Sequence, residues 1–466
     1  MPLVAGVDSS TSACKVVVRD VDSGAVVATG RAPHPPTTPP PRSEQDPGAW
    51  WTAFEAAATE AGLVGRHRVA AVSVAGQQHG LVVVDADGAP LRPAKLWNDT
   101  TSAPDAGRLV DVLGPAAWAA ACGSVPVAAF TVTKLAWLRR CEPSTYARIA
   151  RVGLPHDWLT GRLTGGWTTD RGDASGTGWW SPAEGRYRPD LLALVDDGVD
   201  WVERLPTVLG PTEPAGEWEG AVVGPGTGDN MAAALGMGLR PGDLGLSLGT
   251  SGTAFCRSDR PSADPSGVVA GFADATGVFL PLVCTLNATK VTDAVARLLG
   301  VDLPGLDDLA MAVPAGTSEL VLVPHLDGER TPDLPDAAGL LAGIRSDVTR
   351  EQVARAAFEG VVANLLAAAD SLAADGQVVL TGGGARSPAF RQVVADVTGR
   401  SVLVPGEDEL VACGAAVQAA AVLTGATVAE VADAWGLGLG TTVEPTPGVD
   451  GQAVRDRYDA VAAGAR

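Results

Sequence analysis

The chain has 466 residues, 46% of them hydrophobic and 19% charged, and a formal net charge of −20. Single cores rarely exceed ~250–300 residues, so this length points to two domains or three, and the composition is globular rather than disordered. Such acidity argues against nucleic acid or an anionic membrane as partner; phosphate would have to be held locally, by backbone N–H groups, helix N-termini or a metal ion. Six cysteines stand singly with no Cys-x-x-Cys pair, which removes zinc and redox spacings and makes a disulfide framework unexpected. The opening MPLVAGVDSS does not read as a signal peptide. The most apolar late run, VACGAAVQAAAVLTG, is shorter than the ~20 residues of a membrane span. A soluble, cytoplasmic protein is expected.

In chain order, LVAGVDSSTSACKVVVRDVDSGAVVATG predicts a β-hairpin and a third strand. A Pro-rich loop, PPTTPPPRSEQDPGAW, ends in Asp-Pro, a helix start, before the amphipathic AWWTAFEAAATEAGL. VAAVSVAGQQHGLVVVD then gives a buried strand, a Gly-bounded loop and another strand. From about Leu96 to Trp218, short helices alternate with Trp-rich and Pro-rich connections. A second start comes next: GDLGLSLGTSGTAFCRSD has the shape of the N-terminus, with Gly6 over Gly245, Thr11-Ser12-Ala13 over Thr250-Ser251-Gly252, and Asp8 over Ser247. The later VVLTGGGARSP runs from a strand through three glycines into a helix. This internal duplication predicts paired α/β domains facing one another across a cleft, with a boundary near residues 235–243.

Each hairpin turn presents N–H groups and hydroxyls without bulky side chains, a concavity suited to phosphate oxygens; each is also readable as a plain turn. Only the first copy carries an acid, so Asp8 is the candidate magnesium ligand, against a strand-end Asp bonding its own turn. Gly382-Gly383-Gly384 would let ribose or adenine approach the backbone, but it is neither a Walker loop nor a dinucleotide fingerprint. In GPGTGDNMAAALGMG, Asp229 follows three glycines and opens a helix pattern. It reads as a helix cap or as the acceptor for the proton of an alcohol attacking a γ-phosphate, ionised at neutral pH if its pKa is the ordinary ~4. Gln77, Gln78 and His79 lie at a strand end, where polar groups could meet a polyol. Trp97 in LWNDTTSAPDA could stack on a sugar or belong to the core.

Together these segments resemble the FGGY carbohydrate kinases over nearly the whole chain, and among them the branch acting on D-xylulose. GVDSSTSACKVVVRD and GDLGLSLGTSG look like the family's two phosphate motifs, VVLTGGGARSPAFRQ its adenosine motif, and GLLAGIRSDVTREQVARAAFE its C-terminal signature. SEQDPGAWW, GQQHG, LWND, TDRGDASGTGWW, GDNMAAALG and HLDGERTP look like the D-xylulose branch's versions of the variable segments. The resemblance implies an α/β fold of two actin-like ATPase (ribonuclease H-like) domains, residues 1–240 for the sugar and the base and 241–466 for the nucleotide, with ATP in the cleft between them. It implies transfer of the γ-phosphoryl group of ATP, with Mg²⁺, to the 5-hydroxyl of D-xylulose. Asp229 is then the catalytic base and Asp8 the acid near the metal. Thr11, Thr250 and Ser251 lie in the phosphate turns, and Gly383, Gly384 and Ser387 in the nucleotide segment. Gln78, His79, Asn230 and Trp97 stand near the sugar. Many relatives are dimers, so a homodimer is compatible with the resemblance, although no segment identifies an interface. Two positions depart from the family: Gln78 replaces a common Met, and Thr101 stands where an Arg is usual after Trp-Asn-Asp. Both bear on the sugar, leaving ribulose, arabitol and xylitol as alternatives. The non-enzyme alternative is an actin-like, nucleotide-switched binding protein.

Overall fold

The structure, a computed structural model, describes residues 2–63, 67–316 and 319–464. The chain forms two compact units, one of Met1–Gly238, Ser258–Leu280 and Glu407–Leu437, the other of Leu239–Arg257, Pro281–Gly406 and Gly438–Arg466.

In the first unit the predicted hairpin and third strand are β1 (Leu3–Ser9), β2 (Ala13–Asp20) and β3 (Val26–Pro33). The predicted helix is α1 (Pro47–Glu60), started by Asp46, whose carboxylate accepts the Gly48 N–H at 3.0 Å, and by Pro47, which has no N–H to leave unpaired. Trp50, Ala53, Phe54, Ala57 and Ala58 recur at helical spacing and are buried. Trp50, fully buried, meets Trp158 edge to face at 6.4 Å; burying one such ring stabilises by about 2–3 kcal/mol. β4 (Ala71–Gly76) lies parallel to β1. The expected next strand forms at Val82–Val84, but it pairs with Arg151–Gly153 outside the main sheet. The middle of the chain contributes α2 (Thr131–Cys141), α3 (Pro155–Thr164), β5 (Thr168–Asp170) and the single turn α4 (Arg171–Ala174). It returns to the sheet as β6 (Gly216–Trp218), β7 (Ala221–Val223) and β8 (Thr227–Gly228), followed by α5 (Asp229–Gly236). The strand order is β6-β7-β4-β1-β2-β3, with β8 also beside β4.

The second unit repeats this plan. β9 (Leu244–Leu248) and β10 (Gly252–Cys256) form the second hairpin, and β11 (Phe279–Thr285) pairs antiparallel with β10. α6 (Thr289–Leu299) and α7 (Arg350–Ala369) come after it, α7 opened by a reciprocal Thr349–Gln352 capping box. β12 (Val378–Thr381) runs parallel to β9, leads through a one-turn helix at Gly383–Arg386 into α8 (Pro388–Thr398), and is flanked by β13 (Val402–Pro405). Asp8 and Ser247, aligned by sequence, each occupy the last position but one of the first strand, opposite Lys15 and Thr253.

The late apolar run is α9 (Leu410–Thr424), which belongs to the first unit; β14 (Gly440–Val443) and α10 (Gly451–Gly464) then complete the second. β14 lies antiparallel beside β13, so the second strand order, β11-β10-β9-β12-β13-β14, mirrors the first. α9 packs backbone to backbone: a Cβ on Gly6 of β1 would stand 1.9 Å from the Ala412 carbonyl, and one on Gly414 would stand 2.0 Å from that of Ala232. Only glycine permits that approach. Among the described residues no single helix is long and apolar enough to cross a membrane.

Candidate functional site

The loop before α5 is fixed on every side. Gly226 has φ of +76°, and a Cβ there would meet the His156 ring at 2.6 Å and the Val74 carbonyl at 2.7 Å. Its N–H donates to Ser73 Oγ at 3.2 Å, its carbonyl accepts from Gln418 Nε2 of α9 at 3.2 Å, and the Thr227 hydroxyl donates to Asp170 at 2.8 Å. Asp229 is the first residue of α5, with Gly228 as the residue before the helix. Its Oδ1 accepts from the Asn230 N–H at 2.9 Å and from Asn230 Nδ2 at 3.2 Å. Burial, then the negative charges of Asp8 and Asp173, push the Asp229 pKa up to about 7. The ordinary carboxylate pKa expected from sequence is therefore corrected: this carboxyl is poised between its two forms at neutral pH.

Asn230 links Asp229 to the sugar candidates. Its Nδ2 also donates to Gln78 Oε1 at 2.7 Å, while Gln78 Nε2 is buried without a hydrogen-bond partner. His79 is held at φ of +65°, stacked on Phe130 with centroids 5.1 Å apart. Its Nδ1 lies 2.7 Å from the Gly176 carbonyl, which can only accept, so Nδ1 carries the proton. Lys134, fully buried on α2, donates to the carbonyls of His79 and Ala129 and secures this uncommon backbone conformation. Trp97 is 42% exposed, and its Nε1 donates to Thr11 Oγ1 at 3.1 Å. Thr11 in turn donates to Gln77 Oε1 at 2.9 Å, so one hydroxyl of the first phosphate turn already joins the turn to the tryptophan loop. Thr101 accepts from Lys95 Nζ at 2.8 Å and donates to Asp99. The cation at this place is thus Lys95, entirely buried and stacked over Trp137, beneath the loop rather than on its surface.

Asp8 is nearly buried, with Lys15 Nζ 3.8 Å from Oδ2 and no hydrogen-bond partner for Oδ1. Burial raises its pKa to about 6, against the lowering effect of Lys15. An orphaned, half-compensated carboxylate oxygen fits a cation. Among the described residues no group of three His, Cys, Asp or Glu side chains could hold a metal ion.

In the second unit Thr250 and Ser251 are exposed at the tip of the β9–β10 hairpin. Ala288 and Thr289 donate N–H groups to the Thr250 and Gly249 carbonyls, fixing the turn. A Cβ at Gly383 would meet nothing within 4 Å, whereas one at Gly384 would meet Leu248 at 2.7 Å. Gly383 is therefore open to a ligand and Gly384 serves packing. The Ser387 hydroxyl caps α8 through the Phe390 N–H and donates to Asp307. From HLDGERTP, Glu329 is buried and accepts from Asn287, Asn364 and two backbone N–H groups. The structure thus gathers Asp8, Thr11, Gln78, His79, Trp97, Asp229 and Asn230 in the first unit, and places Thr250, Ser251, Gly383, Gly384 and Ser387 in the second.

Sequence reasoning missed the residues that hold this arrangement: Ser73, Lys95, Lys134, His156, Asp170, Asp173 and Gln418. The available signal was chemical. Three acids in HDW and TDRGDAS lie in a stretch rich in glycine, tryptophan and hydroxylated residues, and the structure buries all three.

Residues 3–236 match the N-terminal domain of the FGGY family of carbohydrate kinases, and residues 244–423 match its C-terminal domain. A xylulose kinase of Streptomyces coelicolor is 51% identical over 95% of this chain and 92% of its own, and one of Streptomyces rubiginosus is 50% identical over the same shares. The crystal structure of xylulose kinase from Bifidobacterium adolescentis superposes with a TM-score of 0.87 at 40% identity, covering 99% of each chain.

Proposed function

Because the chain belongs to the FGGY family of carbohydrate kinases, we propose that it transfers the γ-phosphoryl group of ATP to the 5-hydroxyl of D-xylulose, giving D-xylulose 5-phosphate, with Asp229 as general base. The substrate rests on the xylulose kinases it resembles. The base assignment is supported above all by the Asp229 carboxyl, poised near pH 7 and tied through Asn230 to Gln78.

In this reading the sugar oxygen attacks the γ-phosphorus and its proton passes to Asp229. The bond to the bridging oxygen breaks, and ADP leaves with that electron pair. Phosphoryl transfer needs mainly positioning and charge stabilisation, so one oriented carboxylate covers much of the demand and contributes ~10²–10⁴-fold. Asp8 would hold Mg²⁺, which when bound would supply the charge that screens the phosphates. Residues 1–240 carry the sugar and the base in this proposal and residues 241–466 the nucleotide, with Thr250, Ser251, Gly383 and Gly384 along its phosphates and adenosine. Gln78, His79 and Trp97 face the sugar, where the unpartnered Gln78 amide offers a hydroxyl a donor that Met would not. That amide favours, as a second reading, a polyol or ketose with an oxygen there.

The test is ADP release with Mg-ATP against D-xylulose, D-ribulose, L-ribulose, D-fructose, xylitol, D-arabitol, glycerol and no sugar. A kcat/KM for D-xylulose about tenfold or more above the others supports the assignment; each such factor is ~1.4 kcal/mol of discrimination. Preference for another polyol moves the substrate and points to Gln78 and Thr101. Slow ATP turnover indifferent to every sugar sinks the kinase reading.

A further inference from the structure

Behind the Asp229 loop one imidazole is enclosed by three carboxylates. His156 and Asp157 on α3, Asp170 at the end of β5 and Asp173 on α4 are all almost or wholly buried. His156 Nδ1 lies 2.7 Å from Asp173 Oδ2; its Nε2 lies 3.3 Å from Asp157 Oδ1 and 3.9 Å from Asp170 Oδ1. Asp170 uses its other oxygen for the Gly172 N–H and the Thr227 hydroxyl, both at 2.8 Å, and also accepts the Asp173 N–H at 2.9 Å. The ring packs directly against Gly226. Three segments thus converge at one side chain, and the third, far from the other two in sequence, carries Thr227, two residues before Asp229.

Burying three carboxylates is unfavourable unless they are paired or protonated. No lysine or arginine is found within ion-pair distance of these three acids among the described residues, so His156 is their counter-charge. Beyond them, Asp173 and Asp8 act electrostatically on Asp229, and Tyr187 is influenced by Asp157. Burial alone would push the His156 pKa down, but the acids, Asp157 foremost, bring it up to about 9. A protonated ring leaves Asp170 free to act as an acceptor for Thr227.

We propose that His156, Asp170 and Asp173 form a positioning cluster that holds the Thr227–Gly228–Asp229 segment, through the Asp170–Thr227 hydrogen bond, in the geometry from which the carboxylate takes the sugar proton. This inference rests on the reading of Asp229 as the base. Nothing in the cluster need touch substrate; His156, Asp170, Asp173 and Thr227 act through Asp229.

The experiment compares full-length Thr227→Val, which keeps the shape and removes the hydroxyl, with Thr227→Ser, which restores it, alongside His156→Gln and Asp229→Asn. Each is measured for kcat and KM toward D-xylulose and ATP, ATP binding by calorimetry, and Tm. Misplacing a catalytic group by ~1 Å can cost ~10²-fold. The expected result is a kcat loss of that order in Thr227→Val and His156→Gln, with both KM values and ATP binding little changed, and recovery of most of the loss in Thr227→Ser. A merely structural cluster would lower Tm and leave the kcat of the folded protein intact. That outcome in either variant, with Asp229→Asn inactive, overturns the positioning role and leaves the base standing. Near-normal turnover in Asp229→Asn removes the base itself, and the cluster's role falls with it. If Thr227→Val does not fold, His156→Gln and Thr227→Ala carry the same comparison.

Discussion

The two units share the order of six strands, and their connections differ most after the fourth. In the second, β12 passes through one turn of helix and α8 to β13 within 21 residues of its own end. In the first, 144 residues separate the end of β4 from β7, and that span holds α2, α3, β5 and α4. His79, Trp97, Lys134, His156, Asp170 and Asp173 all lie in this insertion, with Gln78 at its start. The second unit keeps its turn short and open, as at Gly383. Under the proposed function, the long connection would shape the sugar site and tune its base, and the short one would let backbone approach a nucleotide.

The sharpest way to break this contrast is Asp229→Ala. It should reduce kcat by ~10²–10⁴-fold while ATP still binds by calorimetry; turnover close to wild type would end the division of labour. Next is pH. With Asp229 brought up to about 7, kcat/KM should fall as pH drops below about 7, because the base is then protonated; a profile flat to pH 5 would refute it. The same raised value makes a stability statement. Between the unfolded carboxylate range and about 7 the folded state binds the extra proton, so the folded protein loses stability as pH rises through that window. Asp229→Asn should therefore raise Tm relative to wild type at pH 8, with the gap closing toward pH 4.

Smaller effects should separate the units. Gly383→Ala has room in the fold, so Tm should not move, while KM for ATP rises and KM for the sugar does not; an unchanged ATP KM would remove Gly383 from the nucleotide segment. Trp97→Phe keeps a ring and loses only the N–H given to Thr11. One such neutral hydrogen bond is worth ~0.5–1.5 kcal/mol, so KM for D-xylulose should rise by ~10-fold at most.

The repeated hairpins were readable from sequence because local turn chemistry and alternating apolar residues specify them, and the Asp8/Ser247 alignment holds to the same register. α1 was readable from Asp46-Pro47 and its apolar spacing. α9 was readable only as an apolar run too short for a membrane span: a helix apolar on every side carries no mark of which unit it joins, and its contacts lie some 400 residues away in sequence at Gly6. The Asp229 site was readable as residues but not as a state. Its proton affinity depends on Asp8 and Asp173, and its placement on Asp170 and Gln418, none of which is near it in sequence. Thr101 looked like a lost cation because Lys95, which faces it, lies six residues earlier in the chain, outside the LWND motif.

The glycine seam of α9 also bears on how the chain is made. β1 leaves the ribosome first, yet the backbone that Gly6 is shaped to meet arrives some 400 residues later, with Ala412. Domains usually fold as units during synthesis, N-terminal first; here the earliest strand must wait for almost the latest helix. A nascent or truncated chain ending at residue 240 would expose the faces of β1 and α5 that α9 covers, so this region's vulnerability to chaperones, proteases and aggregation lasts until α9, the first unit's late segment, has been translated after most of the second unit.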